Sequence, residues 1–164
     1  MPSPQITPPT PLDGTAYNTG VDKEGKKLEW ATHVQVFPAA AAVAEGAPVS
    51  LGSTTSSAGL TVHESDADTA TDEATCVGIA LNAATAAGDM VRVGNIGYVL
   101  ITDGDDADIG EGLPLDTNAG EVAAGTVFVR ESHCFVALES EIVDFYGSGL
   151  DAVLAMYVGG TPGP

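Results

Sequence analysis

The stretch CVGIALNAATAAGDMVRVGNIGYVL, Cys76 to Leu100, decides how this chain folds. Apolar residues recur at period two in Met90 to Val93 and again in Ile96 to Leu100, with Gly94 and Asn95 between the two runs. Strict alternation marks a half-buried strand, and Gly with Asn is turn chemistry, so the segment reads as strand, turn, strand. Ahead of it, Val77, Ile79 and Leu81 alternate with Cys76, Gly78 and Ala80. One side of that earlier run carries almost no bulk, so something must pack closely against it. Between the runs lies an elbow of small residues that ends in Ala-Gly-Asp.

Working outward, the same period-two signal recurs. The body opens near Leu28 with LEWATHVQVF, where Trp30, Thr32, Val34 and Val36 take one side and His33, Gln35 and Phe37 the other. Strands are expected near 30 to 37, 48 to 52, 60 to 63, 75 to 81, 90 to 93, 96 to 102, 113 to 115, 126 to 130 and 133 to 139, punctuated by Gly, Asn, Asp or Pro. STTSSAGL and ESDADTATDEAT are polar loops. Only GLDAVLAMYV, Gly149 to Val158, fits a helical stripe and a strand face equally well, and both stay open. AEGAPVSL, AAGDMVRV and IGEGLPLD each place Gly before a short alternating strand, a repetition that suits a compact barrel or sandwich.

Residues 1 to 27 differ. Five prolines fall within the first eleven positions, apolar residues are few, and Lys23, Lys26 and Lys27 supply three of the chain's five basic groups. Such a segment is expected to be an extended arm, because it cannot bury enough surface to fold alone. Its backbone is already stiff, so docking would cost little entropy; Ile6, Leu12 and Tyr17 are its candidate anchors and the lysines its contacts to an acidic partner. The expected organisation is an arm over 1–27, a β body over 28–141 and a C-terminal tail over 142–164, the tail holding a short helix or strand.

The 164 residues carry 23 Asp and Glu against five Lys and Arg, a net charge of −18. From Leu28 onward only Arg92 and Arg130 are basic. A field of that sign repels phosphate, so nucleic acid and anionic membranes are disfavoured as partners. Screening by salt would relieve the self-repulsion, which suits a saline habitat. The apolar fraction of 44% comes largely from Ala and Val, so the core should be thin and built of small side chains. No apolar run is long enough to span a bilayer, and MPSPQITPPTPLDG lacks the basic start and apolar stretch of a secretory signal.

Residues that could carry chemistry mostly fail on spacing. In DGDDADIGE, Asp103 to Glu111, the first two acidic positions suit a calcium loop, but Ala107 occupies the third ligand position and no Gly follows it. His33, His63 and His133 have no second ligand at zinc spacing. GST at Gly52 to Thr54 and GSG at Gly147 to Gly149 lack the nucleophile elbow, and no phosphate-binding Gly-rich loop is present. Cys76 and Cys134 lie in strand-like runs without CxxC spacing; buried thiols are the first reading and one disulfide the second. No catalytic residue, metal site or cofactor is expected.

With those readings set aside, Gly78, Ile79, Ala80, Ala87, Gly88, Asp89, Val91, Val93, Gly97 and Val99 reproduce a recurring order: a Gly-Ile-Ala strand, a small-residue elbow closed by Ala-Gly-Asp, a Val-x-Val strand and a Gly-containing hairpin. In that order the segment resembles the head decoration, or cement, proteins of tailed bacterial and archaeal viruses, over about residues 45 to 140. The resemblance implies an all-β fold, a small β-barrel or β-tulip, assembled as a homotrimer on the outer surface of the capsid and bound to the major capsid protein, with no enzymatic activity. It also makes Ala86, Ala87 and Gly88 a subunit or capsid contact, because small residues let backbones approach. Two other classes are weighed beside it: a tail, fibre or cell-envelope surface module of a halophile or its virus, and a small trimeric nucleotide-hydrolysing β enzyme, which needs basic phosphate-binding groups this chain hardly has.

Overall fold

A computed structural model describes residues 33–53, 60–68, 72, 75–129, 133–140 and 150–159. The arm anchors Ile6, Leu12 and Tyr17 and the three lysines lie outside them. Among the described residues nine strands form: β1 Val34–Pro38, β2 Pro48–Ser53, β3 Leu60–Glu64, β4 Cys76–Ala80, β5 Met90–Gly94, β6 Ile96–Ile101, β7 Gly112–Leu113, β8 Phe135–Ala137 and β9 Asp151–Tyr157. They build two antiparallel sheets, ordered β1-β5-β4-β2-β3 and β6-β9-β8-β7. The all-β class is as the alternation requires.

Of the expected β-barrel or β-tulip, the all-β character is present, but the described strands do not close into a barrel. A bridge between Ala39 and Val62, with the Ala40 N–H donating to the Val62 carbonyl at 2.8 Å, draws β1 and β3 together at one end of the first sheet only. Closure is forestalled in the opening stretch itself. β5 and β6 are separated by Asn95 alone, one residue fewer than the tightest common hairpin loop, so the chain cannot reverse and pair with itself. It bends at Asn95 and passes from one sheet to the other, so the expected hairpin is instead a corner. The Asn95 side-chain oxygen accepts the His33 N–H at 3.2 Å, at the start of β1, and its carbonyl accepts the Tyr157 N–H at 2.8 Å, at the end of β9.

The expected alternation in β4 is interrupted by a bulge opposite β2: Cys76 and Ile79 pack into one core cluster and Val77 and Ala80 into another, so no single bare side exists. The expected close neighbour is met at Gly78 alone. A Cβ placed on Gly78 would stand 2.5 Å from the Gly94 carbonyl oxygen and 3.0 Å from a methyl of Val93, and Gly78 has φ +148. A second tie runs through the 44–47 turn: the Gly46 N–H donates to the Ala80 carbonyl of β4, and the Gly46 carbonyl accepts the Leu100 N–H of β6.

The core has three parts. Inside the curl of the first sheet, Ala39, Val43, Ala47, Val49, Val62, Ala80, Ala84, Val91 and Val93 make a cluster of small side chains. Between the sheets, Ile79 of β4 packs with Val99, Ile101, Leu113, Phe135 and Val153. Phe135 is fully buried, its ring 5.7 Å from that of Tyr157. On the other face of β6 and β9 lie Tyr98, Leu100, Ala152 and Leu154, also buried. With both faces covered, β9 reads as a continuous apolar run, which is why Gly149 to Val158 fits two periodicities at once. The segment forms a strand between β6 and β8.

The strand expected at 126–130 does not form over its described part. Thr126 makes one bridge to Gly112, and β7 is two residues long and offers no further edge to follow. The Val129 N–H instead donates to His133 Nδ1 at 2.8 Å, and His133 Nε2 lies 3.1 Å from the Thr126 hydroxyl.

Gly78→Ala is expected to lower unfolding free energy by about 2 kcal/mol or more, because the methyl group meets backbone rather than a side chain that can swing away. Gly88→Ala provides the contrast: Gly88 has φ +92 with nothing within 4 Å of the added atom, so only the conformational cost of about 1 kcal/mol applies. Urea denaturation of both variants measures the difference.

Candidate functional site

Of the proposed contact residues, Ala86, Ala87 and Gly88 are the three among those described, and all are exposed. They form the tip of the elbow between β4 and β5. Asp89 builds that tip: one carboxylate oxygen accepts the Thr85 N–H at 2.9 Å, the Thr85 hydroxyl at 2.9 Å and the Ala86 N–H at 3.1 Å. The Gly88 N–H donates to the Ala39 carbonyl. Asn82 closes the base, accepting the Arg92 N–H at 2.8 Å and donating to the Met90 carbonyl. The elbow is thus a preformed protrusion whose apolar tip carries no reactive group. A Cβ added at Gly88 would meet nothing within 4 Å, so the tight approach that excludes a side chain belongs to Gly78 and not to Gly88.

The acidic loop is held by its own carboxylates. Asp105 accepts the Ala124 N–H at 2.8 Å and Glu111 accepts the Asp108 N–H at 2.9 Å. With Asp106 they line an open concavity of about 610 Å³. Among the described residues no group of three or more His, Cys, Asp or Glu could hold a metal ion.

Sequence reading missed a buried polar seam. Ser50 and Ser65 lie with hydroxyls 2.6 Å apart, and Ser50 donates to the Asp72 carbonyl at 2.8 Å. The Asp72 carboxylate takes His63 Nε2 at 3.0 Å and the Asp66 N–H at 3.2 Å. The Cys76 thiol touches both the Ser65 hydroxyl and the Cys134 thiol; hydrogen bonding with Cys134, and then burial, push the Cys76 thiol well up from its ordinary value. Both cysteines are buried thiols that form no disulfide with each other. Alternation gives no signal of it: Ser50 lies opposite the apolar pair Val49 and Leu51 and so reads as an outward hydroxyl, yet it is fully buried, and nothing in ESDADTATDEAT singles out Asp72. The Ser, His and Asp here do not form a nucleophilic triad. Ser50 is fully buried, its hydroxyl is engaged by Ser65 and the Asp72 carbonyl, and no hydrogen bond joins it to His63.

Three outcomes are expected. The Thr85 hydroxyl, followed by the Thr85 and Ala86 N–H groups, holds the Asp89 carboxyl below its ordinary value. The stabilisation is present above the unfolded-state value of about 3.9 and is lost as pH falls through the lower folded-state value. A carboxyl NMR titration should therefore find its midpoint depressed, and Asp89→Ala should speed hydrogen exchange at the Thr85 and Ala86 amides. A thiol reagent near pH 8 should leave the native protein almost unreacted and label both cysteines once it is unfolded.

No protein-family profile matches the chain, and no curated protein matches it. Among solved structures, the fold is similar to the N base of the head fiber protein gp8.5 of bacteriophage phi29, with a TM-score of 0.50 and 14% sequence identity over 76% of this chain and 92% of that one. At that identity the likeness is one of fold.

Proposed function

We propose that this protein is a non-enzymatic structural component of a virus head, attached as a homotrimer to the outer surface of the shell through the major capsid protein, which it reinforces. The observation that carries the reading is the fold shared with a phage head fiber base across 92% of that domain. The order of motifs from Gly78 to Val99, which resembles that of head decoration proteins, independently supports a role on a virus head. Charge supports the outer face over the lumen: packaged nucleic acid would repel a chain of net charge −18. The exposed elbow tip of Ala86, Ala87 and Gly88 is one contact in this reading. The Pro-rich arm, with Ile6, Leu12, Tyr17 and the lysines, is the other.

The name of the structural neighbour favours a second reading, in which the domain is the base of a fibre and holds a projection on the head instead of covering it. Images of particles with and without the protein separate the two: added density lying flat over the shell supports decoration, and a radial projection supports a fibre base. Co-sedimentation with head shells tests attachment itself. Saturable binding that weakens on deletion of residues 2–20, with circular dichroism unchanged, is the expected result. Absence of binding by the full chain overturns the head assignment.

A further inference from the structure

The first sheet has one face turned into its own curl, where Val91, Val93 and Ala80 lie, and one turned outward. On the outward face, register places Val34, Val36 and Pro38 of β1 beside Gly94, Arg92 and Met90 of β5. The next strand in that row, β4 with Ile79, is covered by the second sheet. The cover stops there. Val34 is 40% exposed, Val36 54% and Met90 54%. Singly exposed apolar residues are ordinary, but these occupy neighbouring positions of two paired strands and make one strip.

Arg92 is exposed within that strip, opposite Val36. It is the one Lys or Arg among the described residues, and no ion pair joins it to another of them. An apolar strip with a cation in it fits a partner surface that combines apolar groups with carboxylates. A second copy of this chain, with 23 acidic residues, supplies carboxylates on almost any approach. The same acidity repels nucleic acid and anionic lipid. A two-fold contact would turn the strip onto itself and bring Arg92 towards Arg92, whereas a head-to-tail contact sets Arg92 on the acidic surface of the next copy and gives a ring where its rotation closes.

We propose that the outward face of β1 and β5, formed by Val34, Val36, Met90 and Arg92, seats a second copy of this chain in a head-to-tail contact, with Arg92 meeting a carboxylate of its neighbour. This rests on the homotrimer reading above and not on attachment to a capsid. Native mass spectrometry and light scattering of the full chain, with Val36→Glu, Met90→Glu and Arg92→Glu, provide the test. Association should weaken by about tenfold or more in each variant, and most steeply at low salt for Arg92→Glu, with circular dichroism unchanged. Val127→Glu, at a site 85% exposed and outside the strip, should associate as the parent does.

A parent chain that stays monomeric at all concentrations overturns both the trimer reading and this inference. A parent oligomer that persists in all three strip variants overturns the inference alone. Variants that keep the oligomer but no longer bind head shells would assign the strip to the capsid protein, and so overturn the second-copy contact. Disulfide formation between two copies of Val36→Cys would show a two-fold contact and overturn the head-to-tail geometry.

Discussion

The corner at Gly94 and Asn95 is the constraint on which the rest of this structure depends. One residue between two strands leaves no room to reverse, so β5 and β6 must enter different sheets. The corner is then secured from both sides, by the His33 N–H to the Asn95 side chain and the Tyr157 N–H to its carbonyl. It also fixes the place of Gly78, because β4 runs along β5 just where the Gly94 carbonyl turns away. A side chain on Gly78 would push β4 off the strand that leads into the second sheet.

Between the sheets the packing is mixed in character. Phe135, Ile79, Leu113 and Val153 supply the apolar bulk that the Ala and Val cluster of the first sheet lacks. Alongside them runs the seam of Ser50, Ser65, Cys76 and Cys134, edged by the Asp72 and His63 pair. Buried polar groups are tolerated when partnered, and here each hydroxyl and thiol finds another within the seam. The Tyr157 hydroxyl donates to the Cys76 carbonyl, which links β9 to β4 across the two sheets; burial pushes that phenol up to about 12, so it stays a donor through the physiological range.

Polar side chains in this fold are engaged in holding neighbouring segments in place. His133 shows how a chemically versatile residue is used here for structure. Its ring accepts the Val129 N–H and lies against Thr126, so it holds the 126–129 segment against β7 where a longer strand could not form. Burial lowers its tendency to protonate, which keeps Nδ1 free to accept. The exposed elbow is made rigid by Asp89 in the same way, with a carboxylate spent on neighbouring N–H and hydroxyl groups.

Much of this was legible in the chain alone, for a physical reason: alternation records which side of a strand is buried, and it located most of the strands here to within a residue or two. Gly78 foretold a close neighbour of β4, whereas the elbow's small residues, expected to let backbones approach, form an exposed tip with no such approach at Gly88 within the fold. Three features needed the tertiary structure. The corner needs β5 to run on to Gly94 and β6 to start at Ile96, and those strand ends are set by pairing with β1 and β9, distant in sequence, which local periodicity does not encode. That β9 is a strand follows from burial on both faces, which erases the alternation that would have revealed it. Ser50, Ser65, Asp72, Cys76 and Cys134 are ordinary polar or small residues until folding removes water from around them; only then must each find a partner, and only the packed chain decides which.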